Sequence, residues 1–430
     1  MVGTDPSGGE DGPLGGQEAW FREVAAAHPR CCWLDGGGRA GRPVLAWLEP
    51  DDVSLTYDAA RREVVRHAGG RAEVVGDDVF TVLEAEVAAG GPGEQWFGYL
   101  GYAANPDQPA RPGGPGGLPD AVWMRPSHLR RVEPPAARRA PRAPSAPPPG
   151  PVPAGYAAAY AAVQEHLHAG DTYEVNLTYR EEVASGLDPV EAYLALRALN
   201  PAPYAGFVQH DVPGARAWLL SSSPERYASI DADRVLETRP IKGTLPRDAD
   251  PGRDAVLRER LAAEPRFRAE NLMIVDLLRH DLSLVCEPGT VEVPALMEVE
   301  SYPSVHQLVS TVRGLLRPEV STVAALRALF PAGSMTGAPK RRTMEVIDAV
   351  EDTPRGPYAG ALGWVAADGR ADLGVVIRAL STSGDGRYTL GTGGGVTVQS
   401  TLAGEHEESR WKAERLRTAL RSGRRLRSGG

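Results

Sequence analysis

The sequence predicts an α+β protein. Two observations lead there: strand-like apolar runs come in consecutive groups, and segments of helical spacing stand in separate blocks without a regular strand–helix alternation. No segment repeats along the 430 residues.

Taken in order, Glu18–Ala27 reads as a helix, and Pro43–Leu48 and Trp96–Tyr102 as strands broken by Gly, Asp and Pro. From Val132 to Gly155 the chain runs VEPPAARRAPRAPSAPPPGPVPAG. Proline fixes φ and removes backbone donors, so this stretch is expected to be an extended connector between 18–131 and 156–420. Such a segment can also run across one fold, so it does not by itself define two domains. Residues 1–17, rich in Gly, Asp, Glu and Pro, are expected to be disordered, and 421–430 form a basic tail.

Beyond the connector, Tyr156–Ala169 has helical spacing with Gly170 as its C-cap. Tyr204–Val208, Ala217–Leu220, Arg226–Ile230 and Arg234–Leu236 read as strands, followed by helices over Glu270–Asp281, Val323–Leu329 and Lys340–Val350. Gly360–Ala366, Leu373–Leu380 and Tyr388–Thr392 read as strands again, and Glu405–Leu420 as a closing helix.

A hydrophobic fraction of 42% with 24% charged residues suits a globular chain with a sizeable core. A net charge of -9 argues against general nucleic-acid binding. The 3 cysteines, Cys31, Cys32 and Cys286, form neither a C-x-x-C pair nor a readable disulfide set. The N-terminus lacks a basic region followed by an apolar run, and no apolar stretch is long enough to span a bilayer. A soluble, cytoplasmic protein with no membrane or nucleic-acid partner is expected.

Five segments could carry chemistry. In ENLMIVDLLRHDL (Glu270–Leu282), Leu272, Val275 and Leu278 share a helical face, and Glu270 stands at the expected helix start, where the helix dipole favours a carboxylate. Glu405, Glu408 and Lys412 share a face of the last helix. That face is either a solvated charged surface or, with Glu270, a set of oxygen ligands for a hard divalent cation. Lys242, in ETRPIKGTLPR, reads as a loop lysine that becomes nucleophilic if held in a dry pocket. Glu225, in SSSPERY, follows a proline at a strand end, and the glycines of TLGTGGGVT leave backbone N–H groups open to an anion.

Together these segments resemble the chorismate-utilising enzymes. The match runs in order from about Tyr156 to Arg417 through GDTYEVNL, SSSPERY, TRPIKGTLPR, AENLMIVDLLRHDL, VESYPSVHQLVSTVRG, FPAGSMTGAPKRRTMEVID, YAGALGW, VVIRAL and GTGGGV, and more loosely through WLDG and WFGYLGY. The resemblance implies β-sheets packed on each other with helices outside, and chorismate bound in a cleft with Mg2+. Carried over, Glu270 and Glu408 are the expected metal ligands, with Glu405 supporting through water. Arg378 and Tyr358 are expected to hold the pyruvyl carboxylate with the backbone of Gly394 and Gly395, while Thr244, His306 and Ser334 line the ring.

Lys242 selects among the subfamilies. The PIKGT loop is similar to that of aminodeoxychorismate synthases, whereas anthranilate synthases carry PIAGT. The implied reaction forms 4-amino-4-deoxychorismate, on the way to p-aminobenzoate. The lysine attacks C2 as the C4 hydroxyl leaves with help from Glu225, and ammonia then adds at C4 and expels the lysine. Isochorismate-type relatives carry a base lysine where this sequence has Glu174. Departures from the commoner pattern are His280 in RHD, Phe267 and Gln399. No cysteine sits in a nucleophile-elbow context, so ammonia from glutamine is expected to come from a separate amidotransferase subunit. The alternatives are an anthranilate or aminodeoxyisochorismate synthase-like enzyme, or a non-catalytic regulator that binds chorismate.

Overall fold

The computed structural model describes residues 15–36, 43–114, 116–132, 150–302 and 305–426. The expectations for 1–14, for the connector between 133 and 149 and for the last four residues of the basic tail lie outside them. Residues 15–17 open the first helix, Gly15–Ala27, and 421–426 continue the last, Leu402–Leu426.

Two antiparallel sheets form the centre. The nine-stranded one runs from Gly337–Ala338 through Glu174–Ala184, Arg387–Val396, Ala379–Thr382, Ala217–Ser223, Tyr204–His210, Arg30–Leu34 and Val44–Trp47 to His128–Arg131. The twelve-stranded one begins Ile241–Pro246, Val305–Leu315, Val235–Arg239, Arg226–Ile230, and ends at the hairpin Glu63–Ala68 and Arg71–Gly76. Each sheet takes strands from both sides of the connector: Arg30–Leu34 pairs with Tyr204–His210, and Gln95–Leu100 with Ala361–Ala366. The parts at 18–131 and 156–420 therefore complete each other's sheets.

Strand alternation sorts side chains into layers. Phe97, Tyr99, Val122 and Met124 of the larger sheet meet Cys32, Val208 and Leu219 of the smaller one between the sheets. Trp96, Leu100 and Trp123, from the other face, pack with Phe80, Ile274, Leu278 and Leu326 of the helices covering that side. On the far side of the smaller sheet, Trp33, Phe207 and Leu220 pack against Phe21, Tyr193 and Leu416. The result is a helix–sheet–sheet–helix stack, in keeping with the expected α+β class.

Four local readings differ. The helix carrying Glu270 starts at Pro265, so Glu270 lies in its second turn and the end-of-helix dipole argument does not apply to it. Leu272 is exposed, and the buried face runs instead through Asn271, Ile274, Val275 and Leu278. Leu373–Leu380 is two strands, Ala371–Val375 and Ala379–Thr382, separated by a bend where Arg378 takes φ 50°. PIKGT, read as a loop, is strand, and the strand read at Tyr388–Thr392 runs on through the glycines of TLGTGGGVT: Ile241–Pro246 pairs with Val305–Leu315, and Arg387–Val396 pairs along its length with Glu174–Ala184. Glycine carries a low strand propensity, but here its missing side chains let neighbouring groups approach the backbone closely.

Candidate active site

A cavity of about 550 Å³ opens at one end of the smaller sheet. Its walls come from the glycine strand Arg387–Val396, the strand Ile241–Pro246, the helix Pro265–Ser283 and the last helix, Leu402–Leu426. Lys242, Glu225, Thr244, Ser334, Tyr358, Arg378, Gly394, Gly395, Glu270, Glu405 and Glu408 all line it. These groups span residues 225 to 408, and the sheet pairings together with the two packed helices bring them into one place.

Lys242 enters on a β-bulge. Ile241 pairs with Val309 and Thr244 with Gln307, so three steps on one strand face two on the other. Gly243 takes φ +93°, which a side chain would disfavour. The Lys242 side chain is buried and its Nζ forms an ion pair with Glu174 Oε1, the first residue of the strand Glu174–Ala184. Gly395 lies beside this pair, and a Cβ there would collide with the Glu174 carboxylate. Burial opposes the charge on Lys242, but the carboxylates of Glu174, Glu270 and Glu225 outweigh it and hold the ammonium above its usual range.

Glu225 sits in the turn between Ala217–Ser223 and Arg226–Ile230. Burial pushes its carboxyl up to about 7, against the hydrogen bond with Ser334 and the charge of Lys242. It can therefore carry a proton near neutral pH. Arg378 is brought down to about 10 by burial and by the nearby charge of Arg415. Among the described residues no carboxylate lies within ion-pair distance of it, so an anionic ligand would find it uncommitted. Tyr358 packs over Gly391, where a Cβ would strike its ring, and the Arg180 guanidinium lies 5.7 Å from that ring's centre. Ala379–Thr382 pairs with the glycine strand only at Thr389 and Leu390, so Gly391–Val396 has a strand partner on one edge alone, in Glu174–Ala184.

The opposite wall is acidic. Glu270, Glu405 and Glu408 offer hard oxygen donors of the kind Mg2+ takes. Burial raises the carboxyls of Glu270 and Glu405, whereas Lys412 lowers that of Glu408. Cationic side chains already engage all three. Arg266 Nε reaches Glu270 Oε1 at 2.8 Å and its Nη2 reaches Glu405 Oε1 at 2.7 Å. Lys412 Nζ lies 2.9 Å from Glu408 Oε1 and donates to Gly393 O at 2.9 Å. Among the described residues no three acidic, His or Cys side chains converge as a metal-binding group. The donor chemistry fits a hard cation, and a guanidinium stands between two of the carboxylates.

His306 is not in the cavity. Its imidazole is bonded to Ser301 Oγ at 2.8 Å and Asp254 Oδ1 at 3.0 Å, and its neighbour Gln307 supplies the lining side chain. The reason is register: successive residues of a strand face opposite sides, so a one-residue misplacement exchanges the faces. Sequence reasoning also passed over Arg266, Asn176 and the link from Glu174 to Lys242. Two of these carried a signal in their spacing: Asn176 stands two residues after Glu174 on the same strand face, and Arg266 four residues before Glu270.

The cysteines are buried away from this site, and burial pushes the thiols of Cys31 to about 12 and Cys286 to about 11. Among the described residues no helix is long and apolar enough to cross a membrane.

Comparison with known proteins agrees with this geometry. Residues 56–418 match the family model for chorismate binding enzymes. The chain is 53% identical over 252 residues to an aminodeoxychorismate synthase of Streptomyces pristinaespiralis, covering 59% of this chain and 34% of that protein. It is 43% identical over 267 residues to aminodeoxychorismate synthase component 1 of Klebsiella aerogenes, covering 62% and 58%. The matched region thus spans between a third and three fifths of these relatives. Among solved structures, anthranilate synthase component I of Streptococcus pneumoniae superposes with a TM-score of 0.71 at 25% identity, covering 87% of this chain and 92% of that one. With a family match over most of its length and the corresponding residues gathered around one cavity, the chain belongs to the chorismate binding enzyme family.

Proposed function

We propose that the protein is the synthase component of a cytoplasmic aminodeoxychorismate synthase, converting chorismate and ammonia to 4-amino-4-deoxychorismate with Mg2+ through a covalent adduct on Lys242. The observation that carries this reading is the meeting, in one cavity, of a buried lysine amine and the carboxyl of Glu225, raised to about 7.

The chemistry divides between these two groups. The Lys242 amine adds to C2, the ring double bonds shift, and the C4 hydroxyl leaves as water with the proton from Glu225. Ammonia then adds at C4, the double bonds shift back, and the amine departs from C2. Arg378, lacking an acidic partner among the described residues, receives a substrate carboxylate, with Tyr358 and the glycine strand at Gly394 and Gly395 beside it. Thr244 and Ser334 bound the ring. Holding the ring between these groups converts the first bond formation into a positioned, unimolecular step.

Glu270 and Glu408, with Glu405 alongside, would hold Mg2+, once Arg266 and Lys412 release them. The ion, when bound, supplies positive charge for the substrate's second carboxylate. The buried, protonated cysteines are unsuited to glutamine hydrolysis, which needs a thiolate. Ammonia drawn from glutamine would be supplied by an amidotransferase partner. The purified chain, given chorismate, Mg2+ and nitrogen-labelled ammonium, should form labelled 4-amino-4-deoxychorismate, identified by chromatography and mass spectrometry. Anthranilate, isochorismate or unchanged chorismate as the sole outcome would overturn the reading.

A further inference from the structure

The carboxylates around Lys242 favour its ammonium form, which cannot attack carbon. Four carboxylates surround it: Glu174 from the strand Glu174–Ala184, Glu225 from the turn after Ala217–Ser223, Glu270 from the helix Pro265–Ser283, and Glu408 from the last helix. An ammonium so surrounded has no lone pair, and the proton must move before the nitrogen can bond to carbon.

Among the described residues, one acceptor is placed for that transfer. Glu270 is bonded to Arg266, Glu408 is paired with Lys412, and Glu225 is hydrogen-bonded with Ser334. Among the described residues, Glu174 is the carboxylate within ion-pair distance of Lys242 Nζ. It is 1% exposed, and its second oxygen, Oε2, is buried without a hydrogen-bond partner. The backbone is shaped around this contact. The bulge and positive φ at Gly243 bring Lys242 inward, and Gly395 leaves out the Cβ that would fill the position of the Glu174 carboxylate. A proton moving along this contact turns two buried charges into a neutral amine and a neutral acid, a change that low-dielectric surroundings favour more than water does.

Building on the covalent reading above, we infer that Glu174 is the proton acceptor that frees the Lys242 amine for attack. One N–H bond of the ammonium breaks and an O–H bond forms on Glu174. The freed lone pair makes the N–C2 bond, and the C4–O bond breaks with a proton from Glu225, releasing water. The adduct nitrogen is again positive. When ammonia bonds to C4, the N–C2 electron pair returns to the lysine, which leaves as a neutral amine and takes its proton back from Glu174. The amine of the product surrenders a proton that recharges Glu225, and no redox partner is required.

The test compares wild type, Glu174→Gln and Glu174→Asp at saturating chorismate and Mg2+, with free ammonia held constant across pH. Gln keeps the shape and removes the acceptor, so kcat should fall about 10²-fold, the usual contribution of a positioned base. KM for chorismate should stay near wild type, because the group acts on the lysine. The pH optimum of kcat for Glu174→Gln should lie above that of wild type, as solvent hydroxide takes over the proton while ionisation of Glu225 still sets the alkaline fall in both. Glu174→Asp, which restores a carboxylate, should recover part of the rate and stands in if the Gln variant does not fold. A productive wild type beside a Glu174→Gln variant of equal kcat overturns the role of Glu174, as does a loss confined to KM. A wild type that forms no 4-amino-4-deoxychorismate overturns the underlying reading of the reaction.

Discussion

Gln307 and His306 are neighbours on the strand Val305–Leu315 with opposite duties: Gln307 lines the cavity, and His306 is tied to Asp254 and Ser301 outside it. Gln307→Ala should therefore lower kcat/KM for chorismate by about tenfold, the scale of one lost hydrogen bond, and leave thermal stability unchanged. His306→Ala should do the reverse, lowering stability by about 1–2 kcal/mol through two lost part-buried hydrogen bonds while preserving the kinetic constants. Steady-state kinetics and thermal unfolding of both variants check this.

The Lys242–Glu174 pair makes a separate prediction about stability. Removing one partner of a buried pair leaves the other charge uncompensated, at a cost of about 3 kcal/mol or more in closed interiors. The open cavity beside Lys242 should hold Lys242→Ala to the lower end of that range. The double variant Lys242→Ala with Glu174→Gln should regain most of the loss. Denaturant unfolding of the two single variants and the double variant measures the coupling.

Glu225 should impose a pH limit. Its carboxyl stands at about 7 in the folded chain against an ordinary 4.5, so the folded state favours the protonated form. Its contribution to stability is complete below 4.5 and is lost as pH rises through about 7. At constant free ammonia, kcat/KM should fall above about 7 as the general acid ionises. Glu225→Gln should have a low rate without this limb, and its stability should gain on wild type between the two values.

The acidic wall can be tested without turnover. Arg266→Gln removes the guanidinium shared by Glu270 and Glu405 and should tighten Mg2+ binding measured by calorimetry in the absence of substrate. Glu408→Gln should weaken it strongly. Glu405→Gln should weaken it less but lower stability more, because Glu405 is buried and bonded to both Arg266 and Ser400. Equal Mg2+ affinity in wild type and Glu408→Gln would return Glu408 to a simple ion pair with Lys412.

Much of the fold was legible because its signals are local. Arg226–Ile230 and Lys340–Val350 have the bounds their apolar patterns give, and Gly170 ends the helix Ala154–Ala169 at φ 78°. What escaped depends on pairing between distant segments. Composition makes PIKGT look like a loop and stops the strand of TLGTGGGVT at Thr392, and their partners in Val305–Leu315 and Glu174–Ala184 make the one a strand and carry the other on to Val396. The site residues came from ordered motifs, and alternation decided the one misplaced between His306 and Gln307. The contact of Glu174 with Lys242 joins strands far apart in the chain, and no spacing rule reaches across them.

The central claim is that the Lys242 amine carries the reaction. Its most direct test is the rate of labelled 4-amino-4-deoxychorismate formation by wild type and Lys242→Ala, with chorismate, Mg2+ and nitrogen-labelled ammonium, on variant protein shown to be folded. The account predicts a productive wild type and a loss of about 10³-fold or more in the variant, as expected when a covalent nucleophile is removed. Unchanged turnover in Lys242→Ala would contradict it.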